Sequence, residues 1–589
     1  MPDVVLLNLS PYRPLSTKVL ARSLVKAGVS CSVLDFSDLE RKTVSPNLAK
    51  GTYAPSKFGE FVEKVKKEID KESKELSKVK FIGISFYDWE LEKHITFPIS
   101  HYLKKNFPSA LLVGGGPAFN TNPKGFFSAA RLDYAIAGEG EKAFPALVKA
   151  IMSGDKKRIG EVEGVLMRKG GRIVLPAKKA MLTREEIENS PITFAKEASG
   201  RVVTYTERGC ANACVFCSVP RKGKPVALKD ETIIEGIKEL SDLKYIKEIH
   251  FADDQLFFDK ERTMRLFNKI IALGLNKRFK FSGLATVDSF LKNGQVDVEF
   301  IRFLKRANFS QLSVGTEALN DAMLKELKGG RFTAILAMKV NEALRSAGIS
   351  TAHFMLAGGI ETRGKDFLES YYRGLVRGMK HRSDYFQPAI VQAFRTSAYF
   401  DKAKKEGALF TQHGKPFKGT GNRSTTAAFV VPKDPALREV FLKALRNGKK
   451  SFNQYDVETM VDLSKKLDAL GQNSPGMTRR LQKQLGVELS HDDRAANLWH
   501  NFFFLAIKRE IKNKGLPQNS KGYTMLMADE AMKQRLMQEA KYSAKKYSQE
   551  RQRAEKLKGI SRLRQIAKMR NKFGVGMELP DRYRAIRRK

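Results

Sequence analysis

Three of the four cysteines in this 589-residue chain lie close together, at Cys210, Cys214 and Cys217. A short loop with that spacing turns three thiolates toward one point, and converging thiolates bind soft metal centres. An ordinary iron–sulfur cluster takes four cysteines, one per iron. Three ligands on a four-iron cluster leave one iron open, as a catalytic zinc site keeps one open position. An open iron can bind a substrate and pass it an electron. The same loop also reads as a zinc knuckle or as three unconnected thiols. Zinc asks for a fourth ligand, and no other cysteine or histidine is near in sequence. Cys31 is far away and is expected to be a buried structural thiol.

The elements around the loop decide where it stands. From residue 201 to about 400, apolar runs alternate with amphipathic stretches. The candidate strands are Val202–Thr206, Glu248–Ala252, Lys280–Ala285, Gln311–Gly315, Thr351–Leu356 and Tyr385–Gln392. Helical patterns such as Glu231–Leu243 and Ala334–Ala347 fall between them. Six such units suit an open partial (β/α)6 barrel of the TIM type, with its chemistry at the carboxyl ends of the strands. The cysteine loop follows the first strand, where such a barrel keeps catalytic loops.

Residues 1 to about 185 alternate in the same way, which indicates a Rossmann-like parallel sheet. Ligands of such sheets sit at the carboxyl ends of the strands. The loops that begin at Ser10 and Ser85, the run Gly114-Gly115-Gly116 and the turn Gly138-Glu139 should therefore face one crevice. Gly164–Val174 reads as a hairpin turning at Gly170-Gly171, and the polar stretch from Pro176 to Gly200 as a linker.

Beyond about residue 430 the alternation stops. Leu437–Leu445, Val457–Leu470 and Ala495–Ile511 look helical. The domain expectation is 1–185, 196–430, a helical domain 431–530 and a basic helical or disordered tail 531–589. The whole class is α/β with a basic, mostly α-helical extension.

The chain carries 106 Lys and Arg against 64 Asp and Glu, a formal net charge of +42. Residues 531–589 alone hold 19 basic and 5 acidic side chains. Such an excess calls for an acidic partner, with RNA or DNA bound through the tail as the leading expectation. Clustered rather than framework cysteines fit a reducing compartment. No apolar run approaches the ~20 residues of a membrane span, and the first residues read as a strand rather than a signal peptide. A cytoplasmic, soluble protein is expected.

The segment Arg208–Cys217, with Phe216 just before the third cysteine, resembles the signature of the radical S-adenosylmethionine (SAM) enzymes. That resemblance implies a [4Fe–4S] cluster on Cys210, Cys214 and Cys217. Its open iron chelates SAM, and one electron releases a 5′-deoxyadenosyl radical. Further segments resemble the same family. Phe251-Ala252-Asp253-Asp254 is similar to its acidic second-strand turn. Val314–Ala318 is similar to a fourth-strand segment whose glutamate, here Glu317, approaches SAM. Phe354–Glu361, with Gly358 and Gly359, is similar to its fifth-strand glycine turn. Ala318, Gly359 and Arg395 depart from the commoner residues. By the same resemblance Phe216 packs beside the adenine, Asp253 and Asp254 serve the cofactor, and a reductant such as flavodoxin or ferredoxin supplies electrons.

The first domain resembles the cobalamin-binding domain found before many such barrels. That implies cobalamin over Ser10, Ser85, Gly114, Gly115, Gly116, Gly138 and Glu139, although the Asp-x-His-x-x-Gly motif of some cobalamin domains is absent. The activity implied is methyl transfer to an unactivated carbon of a substrate the sequence does not name. The alternatives are a cobalamin-free radical SAM enzyme modifying RNA, and a nucleic-acid-binding protein with a structural or redox-sensing cluster.

Overall fold

A computed structural model gives the fold. It describes residues 2–9, 14–44, 55–87, 92–197, 200–219, 221, 223–380, 388–417, 427–452, 457–473 and 476–479, with scattered positions between 510 and 546. Two compact units result, Met1–Asn453 and Gln454–Lys589.

The first unit begins with β1 (Val4–Asn8), which is buried from end to end. A strand buried on both faces has to be apolar throughout, and Val4-Val5-Leu6-Leu7 is. Its sheet continues with β2 (Cys31–Asp35), β3 (Phe81–Ser85), β4 (Leu111–Gly115), β5 (Tyr134–Ile136) and the hairpin β6 (Val165–Lys169) and β7 (Arg172–Val174). The order is β2-β1-β3-β4-β5-β6-β7, parallel as far as β5 and antiparallel beyond. Gly170 and Gly171 turn the hairpin at φ 56° and 76°, the left-handed pair that a two-residue turn needs. Cys31 departs from expectation: it opens the edge strand β2 and is only half-buried.

Both faces of this sheet are covered. Helix Pro55–Lys71 presents Phe58, Phe61, Val62, Val65 and Ile69 inward at helical spacing. On the same side Phe86 meets Phe119 edge-on with ring centroids 5.7 Å apart. Helices Pro14–Lys26 and Gly140–Met152 cover the opposite face with Leu24, Phe144 and Leu147.

The second sheet has the order β17-β16-β13-β12-β9-β8, where β8 is Ala195–Lys196, β9 Arg201–Thr204, β12 Glu248–Phe251, β13 Lys280–Thr286, β16 Phe309–Glu317 and β17 Ser350–Met355. Two short ladders lie between these in sequence: β10 (Glu207–Arg208) with β11 (Val226–Ala227), and β14 (Leu291–Lys292) with β15 (Gln295–Val296). Strands β9, β12, β13, β16 and β17 are parallel. The stretch read as a plain linker supplies β8, which pairs antiparallel with β9 at the sheet's edge. The sixth expected strand is present as one parallel bridge, Leu356 to Ala389; residues 385–387 of it lie outside the described residues.

Phenylalanines fill the space between the outer face of this sheet and its helices. Phe267 on helix Lys260–Ala272 stands 4.9 Å from Phe309 and 5.2 Å from Phe281, centroid to centroid. Each buried ring of this kind contributes about 2–3 kcal/mol of burial free energy. A three-stranded antiparallel sheet, β18 (Gln392–Phe394), β20 (Ala427–Val430) and β19 (Leu409–Phe410), follows, and no sequence period announced it.

In the second unit, helix Val457–Ala469 buries Met460, Leu463 and Leu467. Ser464 on this helix hydrogen-bonds Thr478 and accepts from the Asn473 amide at 2.7 Å. Of the expected helix Ala495–Ile511 only Glu510 is described, and residues 551–589 lie outside the described residues.

Candidate active site

The cysteine loop leaves the carboxyl end of β9. Its base is closed by the ladder pairing Glu207 with Ala227 and Arg208 with Val226. Cys210 N–H donates to the Arg221 carbonyl at 3.1 Å, and Gly223 N–H donates to the Cys210 carbonyl at 3.1 Å. Cys210 and Cys214 are buried and Cys217 half-buried.

Donors already face the sulfurs. Asn212 N–H lies 3.4 Å from Cys210 Sγ, Val219 N–H 3.4 Å from Cys217 Sγ, and Arg331 Nη2 3.6 Å from Cys214 Sγ. Burial pushes the Cys210 thiol up, and the nearness of Cys214 and Cys217 pushes the same way. Among the described residues no three His, Cys, Asp or Glu side chains group tightly enough for a single metal ion. A four-iron cluster takes each thiolate on a separate iron, and the N–H and guanidinium donors that face the three sulfurs are the kind that such thiolates accept from.

The acidic turn after β12 lies directly beneath the loop. Asp253 is buried and accepts from Thr206 N–H and Glu207 N–H, both at 2.6 Å. It holds the backbone that enters the loop. Asp254 accepts from Gly209 N–H. Gln255 sits against Cys210, its carbonyl 3.6 Å from the sulfur, and its amide donates to Thr286 and Ser289. Glu207 is buried near Asp253, with Arg262 3.7 Å away. Burial, then the charge of Asp253, pushes the Glu207 carboxyl up.

Glu317 ends β16 at a bulge, with φ 61°. A non-glycine residue held in the left-handed region costs about 1–3 kcal/mol, and such residues gather at functional sites. Its carboxylate is buried and lies 3.2 Å from Lys328 Nζ, which also donates to the Gly315 carbonyl at 3.1 Å. Burial pushes the Glu317 carboxyl up, against the pull of Lys328. Lys328 closes helix Asp321–Lys328, and Val215 N–H in the cysteine loop donates to Leu327 O at 3.3 Å. Helix, loop and glutamate thus form one corner.

Phe216 reaches a cavity of about 470 Å³ shared with Leu356, Ala389, Ile390, Gln392 and Lys450. The carboxyl end of β17 meets the cysteine loop there. The Gly358-Gly359 turn beside it is pinned. Tyr399 O–H and Glu361 N–H both donate to Glu326 Oε1, at 2.7 and 3.0 Å. A Cβ at Gly359 would come within 2.3 Å of Glu326 and Tyr399, so packing alone accounts for this glycine.

In the first sheet β1 and β3 are paired neighbours and the chain runs from β1 to β2 on one side and from β3 to β4 on the other, the switch point of a 2-1-3-4-5 sheet, where such folds bind ligands. Ser10 is outside the described residues; Ser85 ends β3, half-buried. The glycine run divides by position. A Cβ at Gly114 would strike Leu132 and Phe119, and one at Gly116 would strike Phe86 O. A Cβ at Gly115 would meet nothing within 4 Å. Gly114 and Gly116 are therefore required by the fold, while Gly115 has open space beside its Cα. Gly138 packs against Ala180. Glu139 accepts from Leu182 N–H at 2.6 Å, Arg221 at 2.8 Å and Arg208 at 3.4 Å. Its carboxylate thus faces the cysteine loop. A larger cavity, of about 840 Å³, reaches Tyr205 and Arg208 but none of the three cysteines.

Lys328, Arg331 and Gln255 were not singled out in the sequence. Lys328 and Arg331 flank a Gly-Gly helix stop, where basic residues are ordinary, and only the fold carries them to Glu317 and Cys214.

Residues 205–370 match the family model for the Radical SAM superfamily. With the loop and the parallel sheet above, this identifies residues 205–370 as a radical SAM domain. Within that superfamily, 169 residues are 29% identical to the cobalamin-dependent radical SAM methyltransferase TokK of Streptomyces tokunonensis, covering 26% of this chain and 24% of TokK. The fold is similar to that of TsrM from Kitasatospora setae, a radical SAM methyltransferase solved with tryptophan and a SAM analogue (TM-score 0.58, 15% identity, 82% of this chain and 98% of that one). It is equally similar to OxsB, a cobalamin-dependent SAM radical enzyme solved with aqua-cobalamin (TM-score 0.58, 15% identity, 98% of this chain and 84% of that one). The last two likenesses are of fold. The chain spans about a quarter to about half of the length of the curated relatives it matches. Among the described residues no helix is long and apolar enough to cross a membrane.

Proposed function

We propose that this protein is a cobalamin-dependent radical SAM methyltransferase acting on an unactivated carbon, with a [4Fe–4S] cluster on Cys210, Cys214 and Cys217. The reading is carried by the three-thiol loop at the carboxyl end of β9, within the stretch that matches the superfamily. When bound, the cluster supplies the electron that cleaves SAM, and a reductant of the flavodoxin or ferredoxin type supplies it in turn. The chain's own groups do the positioning. Asn212 and Val219 N–H steady charge on sulfur. Phe216 offers a face for the adenine at the mouth of its cavity. Glu317, held by Lys328, accepts from an amine or from ribose hydroxyls. Gly358 and Gly359 keep the neighbouring turn close. Asp253 and Asp254 fix the entry to the cysteine loop. In the first domain, Gly115 admits cobalamin, and Glu139 holds the cysteine loop against the crevice.

The domain ranges we assign are 1–185 for cobalamin, 196–430 for the barrel, and 431–530 and 531–589 for the extension. An oxygen-sensitive thiolate site suits a reducing compartment, and we place the protein in the cytoplasm. The 19 basic residues in 531–589 support RNA or DNA as a partner. The same charge supports a second reading, a cobalamin-free radical SAM enzyme that modifies RNA.

Anaerobic reconstitution tests these readings. About four irons per chain, stoichiometric cobalamin, and both 5′-deoxyadenosine and S-adenosylhomocysteine are expected. SAM cleavage without cobalamin uptake would remove methyl transfer. A full cluster that cleaves no SAM would leave a nucleic-acid-binding protein with a structural or redox-sensing cluster.

A further inference from the structure

We infer that Arg331 raises the reduction potential of the cluster on Cys210, Cys214 and Cys217, making its reduction easier; this rests on the cluster assignment above. Arg331 lies on the loop after helix Asp321–Lys328, beyond Gly329 and Gly330, both in the left-handed conformation. The Val215–Leu327 hydrogen bond docks this corner on the cysteine loop. From there Nη2 reaches Cys214 Sγ at 3.6 Å.

The charge of this guanidinium is only partly neutralised. Its nearest carboxylate is Asp288, with Nε and Oδ2 3.5 Å apart. Arg331 Nε and Asp288 Oδ1 are both buried with no hydrogen-bond partner among the described residues. The pair is therefore a loose one, and Nη2 at the other end of the guanidinium points to the Cys214 sulfur. Glu317 pairs with Lys328, the other cation of this corner, at 3.2 Å, and the charge of Arg331 reaches it more weakly. The side chain of Arg331 is 26% exposed, so its field is less screened than that of a surface arginine.

Reduction adds one electron from an external donor and makes the cluster one unit more negative, with no bond made or broken. A fixed cation beside a ligand sulfur favours the reduced form more than the oxidised one. Hydrogen bonds to sulfur and local charge are the means by which proteins set such potentials. Asp288 opposes the effect, and so the two residues should act with opposite sign.

The test is an anaerobic redox titration, followed by electron paramagnetic resonance, of reconstituted full-length protein without SAM. At fixed potential near the wild-type midpoint, Arg331→Met should lower the reduced-to-oxidised ratio about tenfold, equivalent to ~59 mV for one electron. Arg331→Lys should stay near wild type, and Asp288→Asn should shift the ratio upward. Iron content should be equal in all four proteins. Equal midpoints for wild type and Arg331→Met would overturn the inference. So would shifts of the same sign in Arg331→Met and Asp288→Asn, which would indicate loosening rather than charge. Loss of iron from Arg331→Met would make the residue structural and overturn it as well. A wild-type protein that takes up no cluster would instead overturn the cluster assignment itself.

Discussion

Glu139, on the turn after β5, accepts from Arg221 at 2.8 Å, and Arg221 in turn accepts the Cys210 N–H on its carbonyl at 3.1 Å. One carboxylate of the first domain thus reaches the first cysteine of the barrel through a single residue. Arg208 binds the same carboxylate and also Glu141, at 2.6 Å, so both ends of the cysteine loop are tied to one turn. All four side chains are at least four-fifths buried. In such surroundings a charge that loses its partner is costly.

Glu139→Gln should therefore destabilise the protein by about 3 kcal/mol, the lower end for breaking a buried pair. Arg221→Gln should cost a similar amount. Urea unfolding of the two single variants and the double variant checks this. The double variant should lose much less than the sum of the singles, because the same interaction is removed twice. Additive losses would show that the two residues act independently.

Replacing Cys210, Cys214 and Cys217 with Ala should abolish iron binding and SAM cleavage. Cys31→Ala should leave both intact, since Cys31 stands on an edge strand of the other sheet. Iron and sulfide assays on anaerobically reconstituted proteins decide the matter. Normal iron in the triple variant would end the assignment.

The glycine run that ends β4 gives a paired prediction. Gly115→Val should leave stability within about 0.5 kcal/mol, as at an unpacked position, and should block cobalamin uptake. Gly114→Val should cost about 1–3 kcal/mol or more by overpacking against Leu132 and Phe119. Equilibrium binding of cobalamin together with thermal unfolding separates the two. Full cobalamin uptake by Gly115→Val would remove the crevice as its site.

Glu207 makes stability depend on pH. Its folded-state carboxyl is raised from the ordinary 4.5 to about 9 by burial and by Asp253. Between those two values the folded protein holds a proton that the unfolded chain releases, so stability should fall as pH rises through that window. Below the ordinary value both states are protonated and the dependence stops. Glu207→Gln should flatten the slope between pH 5 and about 9, with the unfolding midpoint at each pH as the measurement. An unchanged slope would mean that Glu207 is ionised in the folded protein.

The basic extension predicts a salt dependence. Affinity for duplex DNA should fall with log salt at roughly 0.9 per phosphate contact, and for single strands at roughly 0.7. Deleting residues 531–589 should flatten the slope and weaken binding alike for all sequences, because phosphate contacts carry little base information. The truncated protein should still hold its cluster. Filter binding or anisotropy at several salt concentrations is the measurement, and equal slopes with and without the extension would assign the charge to solvation.

The sequence by itself determined the chemistry-bearing loop and the parallel strands that carry it. Three thiols at fixed spacing are a local fact, and β1, β12, β13, β16 and β17 announce themselves because apolar runs between amphipathic helices are also local. The hairpin at Gly170-Gly171 was legible for the same reason, since its turn needs two residues with positive φ. What the sequence did not hold was distance between residues far apart in the chain. Cys214 and Arg331, Glu317 and Lys328, and Glu139 and Arg221 meet only because strand order and helix docking bring them together. Nor could it separate three adjacent glycines. Gly114 and Gly116 are fixed by neighbours folded against them, while Gly115 stands beside open space and no neighbour requires it. The linker's strand β8 and the sheet of β18, β19 and β20 were hidden because two- to four-residue strands have no period to read. They exist because an edge of backbone needs hydrogen-bond partners, and that need arises only once the neighbouring strand is in place.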